Sequence, residues 1–276
     1  MPELPEVRTV IKILKSSIVG EIISDVRIFW NTLVKFPTKE DLIKRIINKK
    51  ITDLKSFGKW IFFMLENDDV LVSHLRMTGM WYFEKQSDQF WNQKHLHAVI
   101  DFKNGNRISF YDSRGFGVLN LYTKEEFNLK GPQTRMGPEP WDDNFTFENI
   151  KPKIFKSKRA IKSIILDQSV ISGIGNIYAD EILFASSINP ERSGDSLNDN
   201  EIKQIIIHSK KILEDAILNG GTTIHSYHPK IGETGGFQDK LKIHLRKGKE
   251  CLRCGKIVMK IRVGERGTYF CPQCQK

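Results

Sequence analysis

The sequence predicts an α+β chain: an N-terminal helix running into an antiparallel β domain, a helical half, and a small cysteine-held ribbon at the carboxy terminus. Three observations predict it. Between about residues 20 and 124, short runs rich in β-branched and aromatic residues ("EIISDVRIF", "KWIFFML", "DVLVSHL", "HAVIDF", "RISFYDS", "GVLNLYT") are separated by turn formers such as "ENDD" and "KNGN", the pattern of a sandwich or barrel. From about residue 151 the apolar residues recur at helical spacing instead. All four cysteines lie in two C-x-x-C pairs near the end of the chain.

The chain opens "MPELPEV". Proline suits the first turn of a helix, where its missing N–H would have lacked a partner, and Glu3 and Glu6 complement the positive end of the helix dipole. Leu4, Val7, Val10, Ile11 and Leu14 follow at helical spacing, so a helix is expected from the start. After the β runs, "KGPQTRMGPEPWDD" interrupts the pattern with three prolines and two glycines, and residues 125–150 are expected to connect two domains. "KRAIKSIILDQ", "NIYADEILFASS" and "NDNEIKQIIIHSKKILEDAILNGG" then predict three helices, the last capped by Asn/Asp and stopped at Gly220. Between the first two, "SVISGIGN" predicts a tight double turn with Asn176 at the start of a helix whose free N–H groups suit a phosphate, or a plain helical corner. Residues 220–239 hold five glycines and few apolar anchors, which predicts a mobile loop.

Charge narrows the partner. Residues 240–276 hold 11 Lys or Arg against the two acids Glu250 and Glu265, so an excess of nine accounts for nearly all of the net charge of +10. A concentrated basic field fits a polyanion, bound through its phosphates and released by salt. The same segment carries Cys251, Cys254, Cys271 and Cys274, with 16 residues between the pairs. That spacing matches a four-thiolate zinc ribbon, in which one structural zinc ion replaces a core too small to fold alone. No basic and apolar leader follows Met1 and no apolar run nears the roughly 18 residues of a membrane span, so a cytoplasmic protein with reduced thiols and no membrane partner is expected. Within the ribbon, "KIVMKIRVGERGTYF" predicts a β-hairpin turning near Gly264 and Gly267, with Arg266 beside the tip.

These pieces occur together in one family. "PELPEV", "DSRGFG" at 112–117, "MGPEP" at 136–140, "GIGNIYADE" at 173–181 and the terminal C-x2-C-x16-C-x2-C pattern resemble the bacterial formamidopyrimidine-DNA glycosylases, over essentially the whole chain. The resemblance implies an N-terminal helix and β-sandwich catalytic domain at 2–124, the 125–150 connection, a helix-two-turn-helix DNA-binding domain with its loop at 151–239, and a zinc finger at 240–276. It implies a bifunctional glycosylase and abasic-site lyase that removes oxidised purines such as 8-oxoguanine and formamidopyrimidines from double-stranded DNA. It further implies β,δ-elimination through a Schiff base, with a monomer and no nucleotide cofactor, working on the nucleoid.

The resemblance also assigns roles. Pro2, exposed by loss of Met1, would be the nucleophile, and Glu3 the acid and base at the sugar. Lys59 would lie near the scissile phosphodiester, and Arg266 would hold a phosphate and assist the second elimination. His95, Lys158, Lys162 and Asn176 match DNA-contacting positions, while Met77, Arg114 and Phe116 match the residues that fill the hole left by a flipped nucleotide and read the widowed base. By residue type alone, Met77 and Phe116 equally fit core positions and Lys59 a strand-end charge. Five departures stand out: Ser113 and Gly115 occupy places where the family usually has Pro and Arg, which predicts a looser loop around Arg114. Arg8 replaces a common acid, and His244 and Leu245 stand where Tyr and Gly are frequent. Two other readings compete with oxidised-purine repair: an endonuclease VIII-like glycosylase for oxidised pyrimidines, and a zinc-ribbon DNA-binding protein without catalysis. The latter has no use for Pro2, Glu3 and Lys59 together.

Overall fold

The structure is a computed structural model that describes residues 1–90, 92–222 and 235–276. It divides into two compact units, Met1–Thr134 with Gly220–Gly235, and Arg135–Asn219 with Gly236–Lys276.

The first unit opens with α1 (Leu4–Ile18), whose buried residues Leu4, Val7, Val10, Leu14 and Ile18 follow the spacing predicted from the sequence. Each such side chain contributes roughly 1.5–3 kcal/mol by leaving water, before entropy is set against it. Two four-stranded antiparallel sheets follow. One has the order β1 (Ile23–Ile28), β6 (Leu96–Phe102), β7 (Arg107–Tyr111), β5 (Met80–Glu84); the other has β2 (Ile51–Phe57), β3 (Trp60–Leu65), β4 (Val70–His74), β8 (Val118–Tyr122). Two separate sheets settle sandwich against barrel, and residues of α1 and of both sheets share one core.

Three elements of this unit escaped the sequence pattern. β2 ("ITDLKSF") and β5 ("MWYFE") lack a clean alternation, and α2 (Lys39–Ile46) is short and charged, held by the Thr38 side chain accepting from Asp41 N–H at 3.1 Å. The expected connection at 125–150 is also more ordered than its prolines suggested. It contains α3 (Lys124–Lys130), a 3-10 turn at Pro132–Arg135 and the start of α4 (Phe147–Phe155), while the unit boundary falls between Thr134 and Arg135.

In the second unit the helix expected over 158–168 is only α5 (Ile161–Ile165), because Ala160 pairs with Ser193 in an isolated β-bridge. α6 (Asn176–Ala185) and α7 (Asp199–Leu218) run close to prediction, α7 capped by Asn198, and Gly220 leaves the helix with φ +73°. The ribbon hairpin is β9 (Met259–Val263) and β10 (Arg266–Phe270). Its turn is Gly264–Glu265, with φ of +50° and +63°, so Gly267 lies in the strand rather than in the turn. Of the loop expected at 220–239, residues 223–234 lie outside the described residues. Its end is anchored: Phe237 begins a 3-10 turn, is buried, and meets Tyr178 with ring centroids 5.8 Å apart. Among the described residues no helix is long and apolar enough to cross a membrane.

Candidate active site and metal centre

At the amino terminus α1 gathers a carboxylate-rich centre in the first unit. Pro2 is buried, and Glu3 and Glu6 are almost wholly so. The Glu6 carboxylate accepts from Glu3 N–H at 2.7 Å and from Thr222 N–H at 2.8 Å, so Glu6 fixes the helix start and also ties down the backbone of residue 222. Gly221, at φ +75°, passes so close to Glu6 that a Cβ there would come within 2.7 Å of Oε1. Lys59 is buried in the Gly58–Lys59 turn between β2 and β3. Burial holds the Met1 amino group below its usual range; Glu3 and Glu6 pull it up, and Lys59 and Arg114 push it further down. Two neighbours in sequence and two distant residues therefore act on the amino terminus together.

His74 was not singled out from the sequence. It lies at the end of β4 with its ring edge-on to Trp60 at 4.6 Å, and its Nδ1 accepts from Arg76 N–H at 2.9 Å. Burial, with Arg76 and Lys59 nearby, holds its imidazole down at about 3, so it stays neutral across the physiological range.

The segment Asp112–Gly117 is not the loose loop its Ser and Gly suggested. Asp112 is buried, and its carboxylate accepts from Arg114 N–H at 3.1 Å, from Gly117 N–H at 2.7 Å and from the Thr78 hydroxyl, which in turn lies 3.2 Å from Arg114 N. Charge-assisted bonds of this kind are the stronger class. A sequence of loop residues hides them because the closing group precedes the loop and Thr78 comes from another one. Arg114 and Phe116 are exposed, with the guanidinium 4.9 Å from the Phe116 ring centroid, while Met77 is half-buried beside Thr78. His95 is half-buried at the end of a 3-10 turn, and its carbonyl accepts from Asp112 N–H at 2.9 Å.

In the second unit "MGPEP" and "SVISGIGN" fold onto each other. Gly137 N–H donates to the Gln168 carbonyl at 2.8 Å, Ser172 N–H to the Pro138 carbonyl at 3.0 Å, and the Ser172 hydroxyl to the Gly137 carbonyl. The Gln168 side chain bonds Leu166 O, Ile174 O and Gly173 N, each at 2.9 Å, which sets the corner ahead of α6. Asn176, half-buried, donates to the Gly267 carbonyl at 3.0 Å, and Lys158 is exposed.

Lys162 corrects the expectation of a DNA contact. It has no exposed surface; its ammonium is bonded to Asp180 at 2.6 Å, Thr268 Oγ1 at 2.8 Å and Gly267 O at 3.3 Å. It supports the ribbon hairpin, whose exposed Arg266 begins β10. The end of "GIGNIYADE" does similar work. Asp180 also accepts from His244 and from Tyr269 N–H, and Glu181 accepts from the backbone N–H groups of Lys242, Ile243 and His244 at 2.8 to 3.0 Å. Leu245 takes φ +61°, a left-handed conformation that glycine adopts without cost.

The four cysteine sulfurs lie within 4.8 Å of one another, with Cys251–Cys274 at 3.9 Å and Cys254–Cys271 at 3.5 Å. Tetrahedral zinc with Zn–S bonds of about 2.3 Å needs sulfurs about 3.8 Å apart, so the cluster fits one ion. As bare thiols they compete for charge. Burial opposes ionisation of Cys251, but the N–H groups of Arg253 and Cys254 bring it down to about 7, whereas burial and the neighbouring thiols push Cys274 up to about 12. A dication removes that conflict. The four cysteines hold one structural zinc.

Comparison with known proteins gives this geometry a family. Three family models match in chain order: formamidopyrimidine-DNA glycosylase N-terminal domain over residues 1–119, formamidopyrimidine-DNA glycosylase H2TH domain over 136–228, and the zinc finger found in FPG and IleRS over 248–276. The formamidopyrimidine-DNA glycosylase of Mycoplasma genitalium is 43% identical over all of this chain and 96% of its own length. Two solved structures of the Lactococcus lactis protein match at TM-score 0.93 and 34% identity. One is its complex with abasic-site DNA, covering 99% of each chain; the other, its complex with DNA containing N7-benzyl-Fapy-dG, covers 100% of each. With full-length identity and all three domains in order, the chain belongs to the formamidopyrimidine-DNA glycosylase family and is a DNA glycosylase of base excision repair.

Proposed function

We propose that the protein excises oxidised purines from duplex DNA and then cuts the strand as an abasic-site lyase, with Pro2 as nucleophile once Met1 is removed. The observation that carries this reading is that Pro2 lies buried beside Glu3 and Glu6, at an end of the chain on which the buried Lys59 and the exposed Arg114 also act. The secondary amine of Pro2 attacks the sugar C1′, and the bond from C1′ to the damaged base breaks. The departing base keeps the bonding pair and is protonated, Glu3 takes the proton from the attacking amine and passes it to the ring oxygen as the sugar opens, and the C1′–N pair becomes a cationic iminium. Loss of a C2′ proton then expels the 3′ phosphate, and a second elimination expels the 5′ phosphate. We assign Lys59 to the scissile phosphodiester and Arg266 to a backbone phosphate.

DNA is the partner, since the structural neighbours are complexes with abasic-site and Fapy-dG DNA. We assign Lys158, His95 and the start of α6 at Asn176 to phosphates, and Met77, Arg114 and Phe116 to the space left by the flipped nucleotide. The zinc holds the ribbon that presents Arg266. The protein works as a cytoplasmic monomer without a nucleotide cofactor.

Borohydride trapping tests the reading: incubation with abasic-site duplex is expected to give a covalent adduct at the amino-terminal peptide. An adduct on an internal lysine, or none, rules out Pro2. For Arg114, a bidentate contact to a base carries about 1–3 kcal/mol of discrimination. Arg114→Ala should therefore reduce the preference for 8-oxoguanine opposite cytosine over other pairings by about 5- to 150-fold, with cleavage of abasic sites changed far less. Equal loss against every opposite base would refute base reading.

A further inference from the structure

Gly115 stands in the loop that carries Arg114 and Phe116, where the family usually has an arginine. What fills its side is an aromatic residue from a distant loop. A Cβ built on Gly115 would fall 2.8 Å from Trp30 Cζ2, 2.9 Å from Cε2 and 3.0 Å from Nε1, so the indole lies directly against the loop backbone, which is at φ +69° there. On its other contact the indole stacks on His97, with ring centroids 4.7 Å apart and planes 13° from parallel. Its backbone is fixed to the same residue: Phe29 N–H and Trp30 N–H both donate to the His97 carbonyl, at 2.8 and 3.3 Å. His97 is buried in β6, so Trp30 is mounted on the sheet rather than on its own loop. Yet the side chain remains 44% exposed. An indole is a large apolar surface, and leaving this much of one in water is unusual for a group whose only work is to fill a core.

We propose that Trp30 is a positioning residue for base reading: clamped between the His97 ring and the Gly115 backbone, its indole fixes the turn that presents Arg114 and Phe116. Asp112 and Thr78 secure the two ends of this turn through Arg114 N–H and Gly117 N–H, and Trp30 braces its middle. Glycine at 115 is the counterpart of the indole, because a side chain there would displace it. The proposal rests on the reading of Arg114 as the base-reading residue, and its test separates the two.

Trp30→Ala, Trp30→Phe, Arg114→Ala and the double variant Trp30→Ala/Arg114→Ala are compared in three measurements. The first is amide hydrogen exchange in the free protein, which involves no DNA. Trp30→Ala should speed exchange at Arg114 and Gly117 by about tenfold while leaving the strands β6 and β7 protected, as expected of a local opening. Trp30→Phe keeps a ring on His97 and withdraws the part against Gly115, so it should shift the same amides by a smaller factor. The second is the ratio of excision rates for a lesion opposite cytosine and opposite adenine. Loss of a stacked aromatic contact should lower that ratio about fivefold. The double variant should be no worse than Arg114→Ala alone, since both act through one contact. The third is borohydride trapping of Trp30→Ala and Trp30→Phe on single-stranded abasic DNA, which has no opposite base; it should stay within about twofold of the parent.

Unchanged exchange in Trp30→Ala overturns the proposal. So does faster exchange with discrimination intact while Arg114→Ala loses it, and so does a trapping loss as large as the loss of discrimination, which marks general destabilisation. If Arg114→Ala itself leaves discrimination untouched, the base-reading role fails; unchanged β6 and β7 protection with faster loop exchange then still establishes Trp30 as the brace of the loop.

Discussion

A protein that keeps Met1, or carries an added residue ahead of Pro2, is expected to bind lesion-containing duplex normally and to cut none of it. The nitrogen of Pro2 is then an amide, whose lone pair is delocalised into a carbonyl, and no iminium can form from it. The phosphate contacts proposed above lie in other parts of the chain, at Lys158 and Arg266 among others, so affinity is expected to hold. Pro2→Gly leaves a primary amine in place of the secondary one. It should lose most excision yet keep some lyase activity, because a primary amine still forms an imine at a site that is already abasic. Glu3→Gln separates the steps differently. Its carboxyl is almost wholly buried beside the amino terminus, and loss of a positioned acid costs about 10²- to 10⁴-fold. Excision of an intact damaged base should fall by that factor while adducts on abasic DNA persist. A gel of trapped adducts with a parallel excision assay reads all three variants, and undiminished cutting by the blocked protein would return "MPELPEV" to the role of a helix cap.

How much of this was legible in the sequence depends on how local the determining contacts are. The face of α1 was readable because Leu4, Val7, Val10 and Leu14 carry their own period. The zinc ribbon was readable because four thiolates at that spacing have few other uses. Motifs located the site in pieces, but the contacts that join those pieces are non-local. Asp112 closes its loop with help from Thr78, 34 positions earlier, and Glu6 reaches Thr222, 216 positions on. Trp30 meets His97 and Gly115 from a loop that carries no motif. Lys162 was assigned to DNA through the resemblance, and nothing within its own stretch announces Asp180 or Thr268, which hold it in the interior. β2, β5 and α2 were missed because polar residues blur their periods, so packing against neighbours decided their conformation.

The buried Asp180 is where the second unit is most exposed to a single change. Its carboxylate meets the Lys162 ammonium at 2.6 Å, His244 Nδ1 at 2.6 Å and Tyr269 N–H at 3.2 Å, joining α5, α6, the 242–244 segment and β10. Lys162 and Asp180 have no exposed surface, so neither charge can turn to water if its partner goes. Removing one partner of a buried pair costs about 3–5 kcal/mol, more than most substitutions in a folded chain. Asp180→Ala is therefore expected to lower the unfolding free energy of this unit by that amount in the zinc-loaded protein. Lys162→Met/Asp180→Leu, which removes both charges and keeps the volume, should recover the share due to the stranded ammonium. It should not recover the share due to His244 and Tyr269 N–H, about 1–3 kcal/mol for each buried polar group left without a partner. The functional consequence follows from Thr268 and Gly267, which Lys162 holds next to Arg266 in β10. Once that hold is lost Arg266 is no longer fixed, and Asp180→Ala should flatten the dependence of log affinity on log salt by about 0.9, the value for one phosphate contact on duplex DNA. Urea unfolding and a salt titration of DNA binding measure the two effects; a loss below about 1 kcal/mol in the first would mean that the pair is solvated and that the hairpin is held by its zinc alone.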